Sequence, residues 1–319
     1  KKIANLAGSN HNELFISGDN IENLVEELVY IHDEPFADAA NIPLYLMCKE
    51  LKNEEKVVLQ GDGGDEVFGG YNYYNYLHKV KNYSVPAKLL KFIFNNSGFI
   101  KSKSIERLQR IANIVAEDSI SKKVGMLISG NLMNENYIST LSKDIRWNLK
   151  NSDPILELKK IEKNNFTDLD YLQAVDLLTI LPNDFLEKVD KPTMFNGIES
   201  RVPFLDNNLV DFVFSLPQEY KFGSGIQKKL LKDAMRNIVP DVILDAPKRG
   251  FGVPFEKWLM FKLKDFMKEI FYDKKIIDSN LFDYENLELK IRKMNLGYKG
   301  YAIEIWRCLN LAIWYKNNF

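Results

Sequence analysis

Cysteine is nearly absent: 319 residues contain two, Cys48 and Cys308. They lie far apart, each in an apolar helical pattern, with no CxxC or Cys/His spacing around them. That argues against a zinc site. Two reduced, buried thiols in a cytoplasmic protein are the plain reading. No uninterrupted apolar run reaches membrane-spanning length, so no membrane span is expected. Net charge is also scarce, at −1. Neither a nucleic-acid backbone nor an anionic lipid surface would attract such a chain, so it does not read as a general binder of either. Repeats and low-complexity tracts are missing. The start, "KKIANLAGSN", has no initiator methionine and no signal-peptide apolar core. The chain is therefore expected to begin partway through a longer gene product.

What is present is ordinary in bulk. Hydrophobic residues make up 45% and charged residues 27%, as in soluble globular proteins. The length suits one large domain or two average ones. Glu13–Ser17 alternates weakly and reads as a strand. Ile21, Leu24, Val25, Leu28 and Ile31 recur at helical spacing, with Asp19 or Asn20 as a candidate cap. Pro35 stops that helix, and "DEPFADAAN" reads as a loop. "IPLYLMCKELK" is a second helix with Pro43 in its first turn. Val57–Gln60 then reads as a buried strand. Strand, helix, helix, strand is the rhythm of a parallel α/β sheet. Two strands cannot make a stable sheet alone, so partners are expected upstream of Lys1.

After Tyr74 the pattern predicts helices and no strand. They fall at Ala87–Phe94, Ile105–Val115, Lys122–Ile128, Asp168–Ile180, Ile226–Ile238 and Ala302–Tyr315. Asn95–Phe99 and Lys150–Pro154 read as loops. The lysine-rich stretch between them reads as a solvated helical face, a lid or an interaction arm.

The chemistry concentrates in "VVLQGDGGDEVFGGYNYY", Val57–Tyr74. Ligands in open α/β sheets bind at the carboxyl ends of strands, where this glycine loop falls. Glycines let a backbone approach a ligand closely, and successive N–H groups form an anion-binding nest. Two phosphate motifs fail. A P-loop needs Gly-Lys-Ser/Thr, and a dinucleotide fingerprint starting at Gly61 would need glycine where Glu66 stands. What remains is a nest carrying Asp62 and Asp65. Aspartate repels phosphate unless a cation intervenes, and Mg²⁺ binds through one or two carboxylates plus phosphate oxygens. The loop therefore fits a nucleoside triphosphate with Mg²⁺; the competing reading is a sharp turn whose aspartates cap the next helix. Downstream, "GSGIQKKLLKDAMR" places Lys228 and Lys229 in the first turns of a helix, against the macrodipole. That placement is tolerable if an anion docks there. "PKRGFGVPF" is a further basic, glycine-containing loop.

Together, "LQGDGGDEVFGGY", "KVDKPTMFNGIESRVPFLD", "GIQKKLLKDAMRNIVP" and "PKRGFGVPFEKWL" resemble the synthetase half of glutamine-dependent asparagine synthetases, in order and spacing. "DEPFADAANIPLYL" is similar to bacterial members. The resemblance implies a parallel sheet of the adenine-nucleotide α-hydrolase (ATP pyrophosphatase) type, partly truncated at its N-terminus and followed by a mostly helical region. Residues 1–80 would be the end of the nucleotide-binding sheet, 81–165 a helical insertion or lid, and 166–319 the helical remainder.

The resemblance also implies an activity. ATP would activate a carboxylate as an acyl-adenylate, and ammonia would then displace AMP. By motif match, Asp65 would bind the magnesium–pyrophosphate and Lys228 would stabilise the leaving group. Asp62, where many members have Glu, would act on the intermediate or on ammonia. Gln60, Gly61, Gly63 and Gly64 would line the ATP site, the family having Ser more often at position 60. Asp176 is a further candidate acid. Glu199 and Arg201 would form an ion pair that either holds the site together or is merely structural. Glu66 would cap or brace the following helix. The partners implied are a small carboxylate, ammonia from a glutaminase domain normally in the same polypeptide, and no nucleic acid or membrane; a homodimer stays open.

Departures shape the expectation. The serine-and-glycine pyrophosphate loop of the form S-G-G-x-D-S and the glutaminase domain are not within these residues. The chain by itself is expected not to hydrolyse glutamine and to adenylate poorly. The loop Asp33–Asn41 lacks the arginine that well-studied members use for aspartate. Three readings stand: an asparagine-forming synthetase domain, an amidotransferase acting on sugar uronic acids of surface polysaccharides, and a non-catalytic ATP-binding domain.

Overall fold

The apolar stripe starting at Ile21 becomes the buried face of α1 (Ile21–His32). The structure is a computed structural model and describes residues 1–15, 20–74, 111–128, 138–151, 156–162, 166–222, 226–246, 252–298 and 300–319. The expected helix Ala87–Phe94, the loop Asn95–Phe99 and most of "PKRGFGVPF" lie outside them. The cap of α1 departs from expectation. Asn20 holds the N-cap position in left-handed backbone and makes no side-chain cap bond, while Asp19 is outside the described residues. Glu13–Phe15 is not a strand, and Phe15 is exposed. α2 (Asn41–Leu51) carries Pro43 in its first turn, where its missing N–H costs nothing.

β1 (Val57–Leu59) leads through the glycine loop into the short α3 (Gly64–Phe68). A long helical run follows later in the chain. Thr167 caps α4 (Asp168–Val175), its hydroxyl accepting from the Asp170 N–H at 3.3 Å. The run widens into a π-helix, Asp176–Leu186, and tightens again in α5 (Glu187–Phe195). Sequence reading stops this helix at Ile180. Pro182 does not stop it, because the π-helix has already abandoned the regular hydrogen-bond ladder that proline would break.

α5 delivers β2 (Glu199–Arg201), which corrects the expectation that no strand follows Tyr74. β2 pairs parallel with β1 in the register Val57 to Glu199, Val58 to Ser200 and Leu59 to Arg201. β1 is not buried as expected: Leu59 is 73% exposed. The helix expected over Ile226–Ile238 contracts to α6 (Lys229–Met235), because Lys228 is left-handed and Arg236 leaves helical backbone. Lys150 and Asn151, expected in a loop, end the helix Lys143–Asn151. α7 (Tyr284–Asn295) and α8 (Tyr301–Asn318) close the chain.

Among the described residues, three of four apolar clusters hold these elements. The largest joins α1 and α2 to the C-terminal helices around Phe271, Trp306 and Leu309. A second gathers Tyr74, Val124, Leu172 and Val175. The third matters most for the site. Val67, Phe68 and Val213, with Phe204, Leu205, Leu230 and Leu231 against them, form the floor beneath the glycine loop. Burial of Phe68 contributes about 1.5–3 kcal/mol to that floor.

Candidate functional site

The glycines of the loop answer to different demands. Gly63 has φ of +83°, and a Cβ there would run into Leu205. A Cβ on Gly64 would press on the Phe204 ring at 3.1 Å. Both are buried against the floor and are required by the chain's own packing. Gly61 is exposed, and a Cβ there would meet nothing within 4 Å. The fold does not need glycine at that position. Gly61→Ala is expected to leave stability within about 0.5 kcal/mol. On the ATP-lining role that the resemblance implies for Gly61, the KM for ATP is expected to rise about tenfold, the loss of roughly 1.4 kcal/mol of close contact. Thermal melts and initial rates over ATP concentration check this.

Asp65 and Lys228, distant in sequence, meet at 3.1 Å between Oδ1 and Nζ, each about one-quarter exposed. The local backbone enforces the meeting. Lys228 sits at φ +53°, uncommon for a long side chain. Its N–H reaches the Gly69 carbonyl at 3.4 Å. Gln227 donates to the Gly70 carbonyl at 2.8 Å and to Asn72 at 2.9 Å. Gly70 lies directly beneath the pair; a Cβ there would overlap both the Asp65 carboxylate and the Lys228 chain. Lys229 turns away to Asp233 within α6.

Asp62 belongs to the same loop and is half-buried. Burial pushes its carboxyl up, Lys188 pulls it back, and Asp65 adds to the rise. Glu66 faces inward, 2% exposed, and accepts a hydrogen bond from Tyr71. Glu66, expected to cap or brace the helix after the loop, lies within α3, does not cap it, and ties it to Tyr71. Gln173 supports the same turn by donating to the Glu66 carbonyl at 3.0 Å. Asp176 is fully buried and accepts from Tyr73 at 2.8 Å and from Tyr74. It stands behind the loop and reaches it through tyrosines. Tyr71 and Tyr73 stack, with centroids 5.1 Å apart.

Glu199 and Arg201 do form an ion pair, at 2.8 Å, but both side chains are more than half exposed. Such pairs contribute little. Arg201 meets the loop through its backbone, its carbonyl accepting from the Gln60 N–H at 3.0 Å.

One functional group escaped sequence reading. Lys188, on α5, binds Asp38 at 2.9 Å and lies over the Phe185 ring at 4.6 Å. Its charge acts on both Asp62 and Asp184. Its partner Asp38 lines an open cavity of about 630 Å³ together with the rest of the 34–40 loop, Asn183, Asp184 and Arg307. The motif "KVDK" contains Lys188, but nothing local marks which of its lysines turns inward. His32 stacks on Phe36 at 4.2 Å and contacts Asn41 at 3.3 Å, tying together the two ends of that loop. Burial holds its imidazole down at about 4, so the brace is neutral.

Among the described residues no cluster of three or more His, Cys, Asp or Glu could cage a metal. Asp65, with Asp62 in its field, offers the one or two carboxylates that suit an ion carried in by phosphates. Both thiols are free and buried, and burial raises Cys48 to about 11 and Cys308 to about 12. Neither has the character of a nucleophile. Among the described residues no helix is long and apolar enough to cross a membrane.

Fold and site define a mostly helical synthetase-type domain whose small parallel sheet leads into a glycine loop bearing two aspartates, one of them met by a lysine from the start of α6. The chain belongs to the asparagine synthase family, whose pattern matches residues 1–316. It is 30% identical to asparagine synthetase [glutamine-hydrolyzing] 1 of Bacillus subtilis, over 100% of this chain and 49% of that protein. It is 25% identical to asparagine synthetase [glutamine-hydrolyzing] 3 of the same organism, over 94% and 43%. The asparagine synthetase [glutamine-hydrolyzing] of Rattus norvegicus is 27% identical over 84% and 34%. The chain thus spans about half the length, or less, of these relatives.

Proposed function

We propose that this domain, of the ATP pyrophosphatase type, uses Mg-ATP to adenylate a carboxylate, aspartate, and transfers the acyl group to ammonia. Pyrophosphate and AMP are released, and the product is asparagine. The observation that carries the reading is the Asp65–Lys228 pair, locked over Gly70 at the carboxyl end of β1. In the first step a carboxylate oxygen attacks the α-phosphorus, and the bond to pyrophosphate breaks. Negative charge grows on the leaving group, and a fixed cation aimed at it is worth most when water is excluded. Lys228 supplies that cation. Bound magnesium would supply charge neutralisation for the phosphates, with Asp65 among its ligands. In the second step ammonia attacks the acyl carbon and the C–O bond to AMP breaks. The nitrogen sheds a proton, and Asp62, whose carboxyl is raised by burial, receives it. Ammonia is drawn from glutamine by a glutaminase domain, since neither thiol of this chain serves.

The test is Asp65→Asn in the full-length protein, followed by magnesium-dependent pyrophosphate release with aspartate and ammonium. The expected loss is about 10²-fold or more; normal release would sink the metal role. One observation favours a second acceptor. The 34–40 loop carries no arginine, so sugar uronic acids belong in the same acceptor panel.

A further inference from the structure

A lysine distant in sequence from the glycine loop is buried where a cation is costly. Lys221 lies in the short helix Gln218–Phe222, and its side chain is 1% exposed. Burying an ammonium group is unfavourable unless its donors find partners. Its Nζ donates to Asp170 Oδ1 at 3.1 Å and to Gln173 Oε1 at 3.2 Å, and lies 5.0 Å from the centre of the Phe214 ring. Both acceptors belong to α4. Asp170 also accepts from Thr167 and Gln218. Gln173 leads to the site. It is fully buried, and its Nε2 donates to the carbonyls of Glu66, at 3.0 Å, and of Val67.

Those carbonyls belong to the end of α3, a helix of 5 residues. The last carbonyls of a helix have no partner within it, and so short a helix does not hold itself. α3 carries Asp65, whose own carbonyl accepts from the Gly70 N–H at 2.7 Å. The Gln173 amide thus closes the same helix that sets the Asp65–Lys228 pair over Gly70. A side-chain amide can face either way, whereas a lysine can only donate. With Lys221 at its oxygen, Gln173 must turn its NH2 group toward α3. Resting on the carboxylate-adenylation reading, we propose that Lys221 is a positioning residue: it orients the Gln173 amide, which holds the end of α3 and so keeps the Asp65 carboxylate in place against Lys228.

The test uses Lys221→Met and Gln173→Met in the full-length protein. Methionine comes close to the volume of either side chain, and Asp170 retains Thr167 and Gln218. Two readouts separate positioning from general support of the fold. The first is hydrogen exchange in the ligand-free protein. Peptides covering 61–70 should exchange about tenfold faster in both variants, while peptides from α7 and α8 stay within about twofold. The second is single-turnover pyrophosphate release with Mg-ATP, aspartate and ammonium. Each variant is expected to slow it about 10- to 100-fold, the effect of misplacing a reacting group by about 1 Å. The KM for the acceptor should stay within about threefold. In an Asp65→Asn background the further loss should be under about threefold, because the residue being positioned has already been removed. Equal fold-losses in both backgrounds, or exchange that quickens everywhere alike, would mean a lysine that merely supports the fold and would overturn the inference alone. So would wild-type exchange and rates in Lys221→Met. If Lys221→Met does not fold, Gln173→Met carries the same comparison. A wild type that releases no pyrophosphate, or an Asp65→Asn protein that releases it normally, would overturn the adenylation reading of this site, and this inference with it.

Discussion

Lys228→Ala is expected to slow acceptor-dependent pyrophosphate release by about 10²- to 10³-fold, the cost of removing one preorganised charge partner from a transition state. Stability should change by less than about 1 kcal/mol. The two magnitudes differ because the lysine's partners differ between states. In the ground state Lys228 faces Asp65 from a position about one-quarter exposed, where solvent screens the pair. During adenylation it faces pyrophosphate as charge accumulates there. Its backbone is anchored independently of the side chain, by Gly69 and through Gln227 to Gly70 and Asn72. Truncation therefore leaves the left-handed turn in place. Lys228→Arg should recover only part of the rate, because the guanidinium needs more width than the gap over Gly70 offers. Single-turnover quench with labelled ATP separates the steps. An unchanged adenylation rate in Lys228→Ala would rule out the leaving-group role.

The site was legible in the sequence where its signals are local. Three glycines and two aspartates after a short β-branched run specify a turn at a strand's end, and that turn is where Asp62 and Asp65 stand. The lysine was legible by its place at a helix start, although its left-handed backbone was not. What escaped depends on distance. Glu199–Arg201 is short and polar and has no strand signature; only pairing with β1 makes it extended. Asp176 carries no mark of its burial under two tyrosines. Arg307 and Lys188 belong to amphipathic helices, and periodicity tells which face is buried without telling what that face adjoins. The helix through Pro182 illustrates a local rule overridden. A proline signals an end, yet the widened π-helix continues past it, sets Asp184 on the cavity wall and runs on into α5, which carries Lys188. Glu13–Ser17 illustrates the reverse. Its weak alternation suggests a strand, and its described residues, 13–15, form none.

Lys290→Met is expected to destabilise the domain by about 3–5 kcal/mol, the cost of orphaning a buried charge. Lys290 and Glu304 pair across α7 and α8, each side chain 8% exposed. Thr140 donates to the same Glu304 oxygen at 3.2 Å, and Cys308 lies 3.5 Å from the Thr140 hydroxyl. The pair thus bolts two C-terminal helices to the segment near residue 140, and α8 also carries Arg307. Burial raises the Glu304 carboxyl, while Lys290 and Thr140 draw it back. Removing the lysine leaves the raising influence dominant. A carboxyl with a folded-state value above its unfolded one binds protons more tightly when folded. Its burial therefore costs least at low pH and most once the pH has risen through the folded value. The deficit of Lys290→Met relative to wild type should be near full at pH 8 and smaller at pH 5. Adding Glu304→Gln should restore part of the stability at pH 8, since a neutral amide keeps a hydrogen-bonding oxygen for Thr140 without a buried charge. Urea melts of the single and double variants at the two pH values measure all of this. A deficit independent of pH, with no recovery in the double variant, would show that Lys290 contributes by packing its aliphatic stem and not by compensating Glu304.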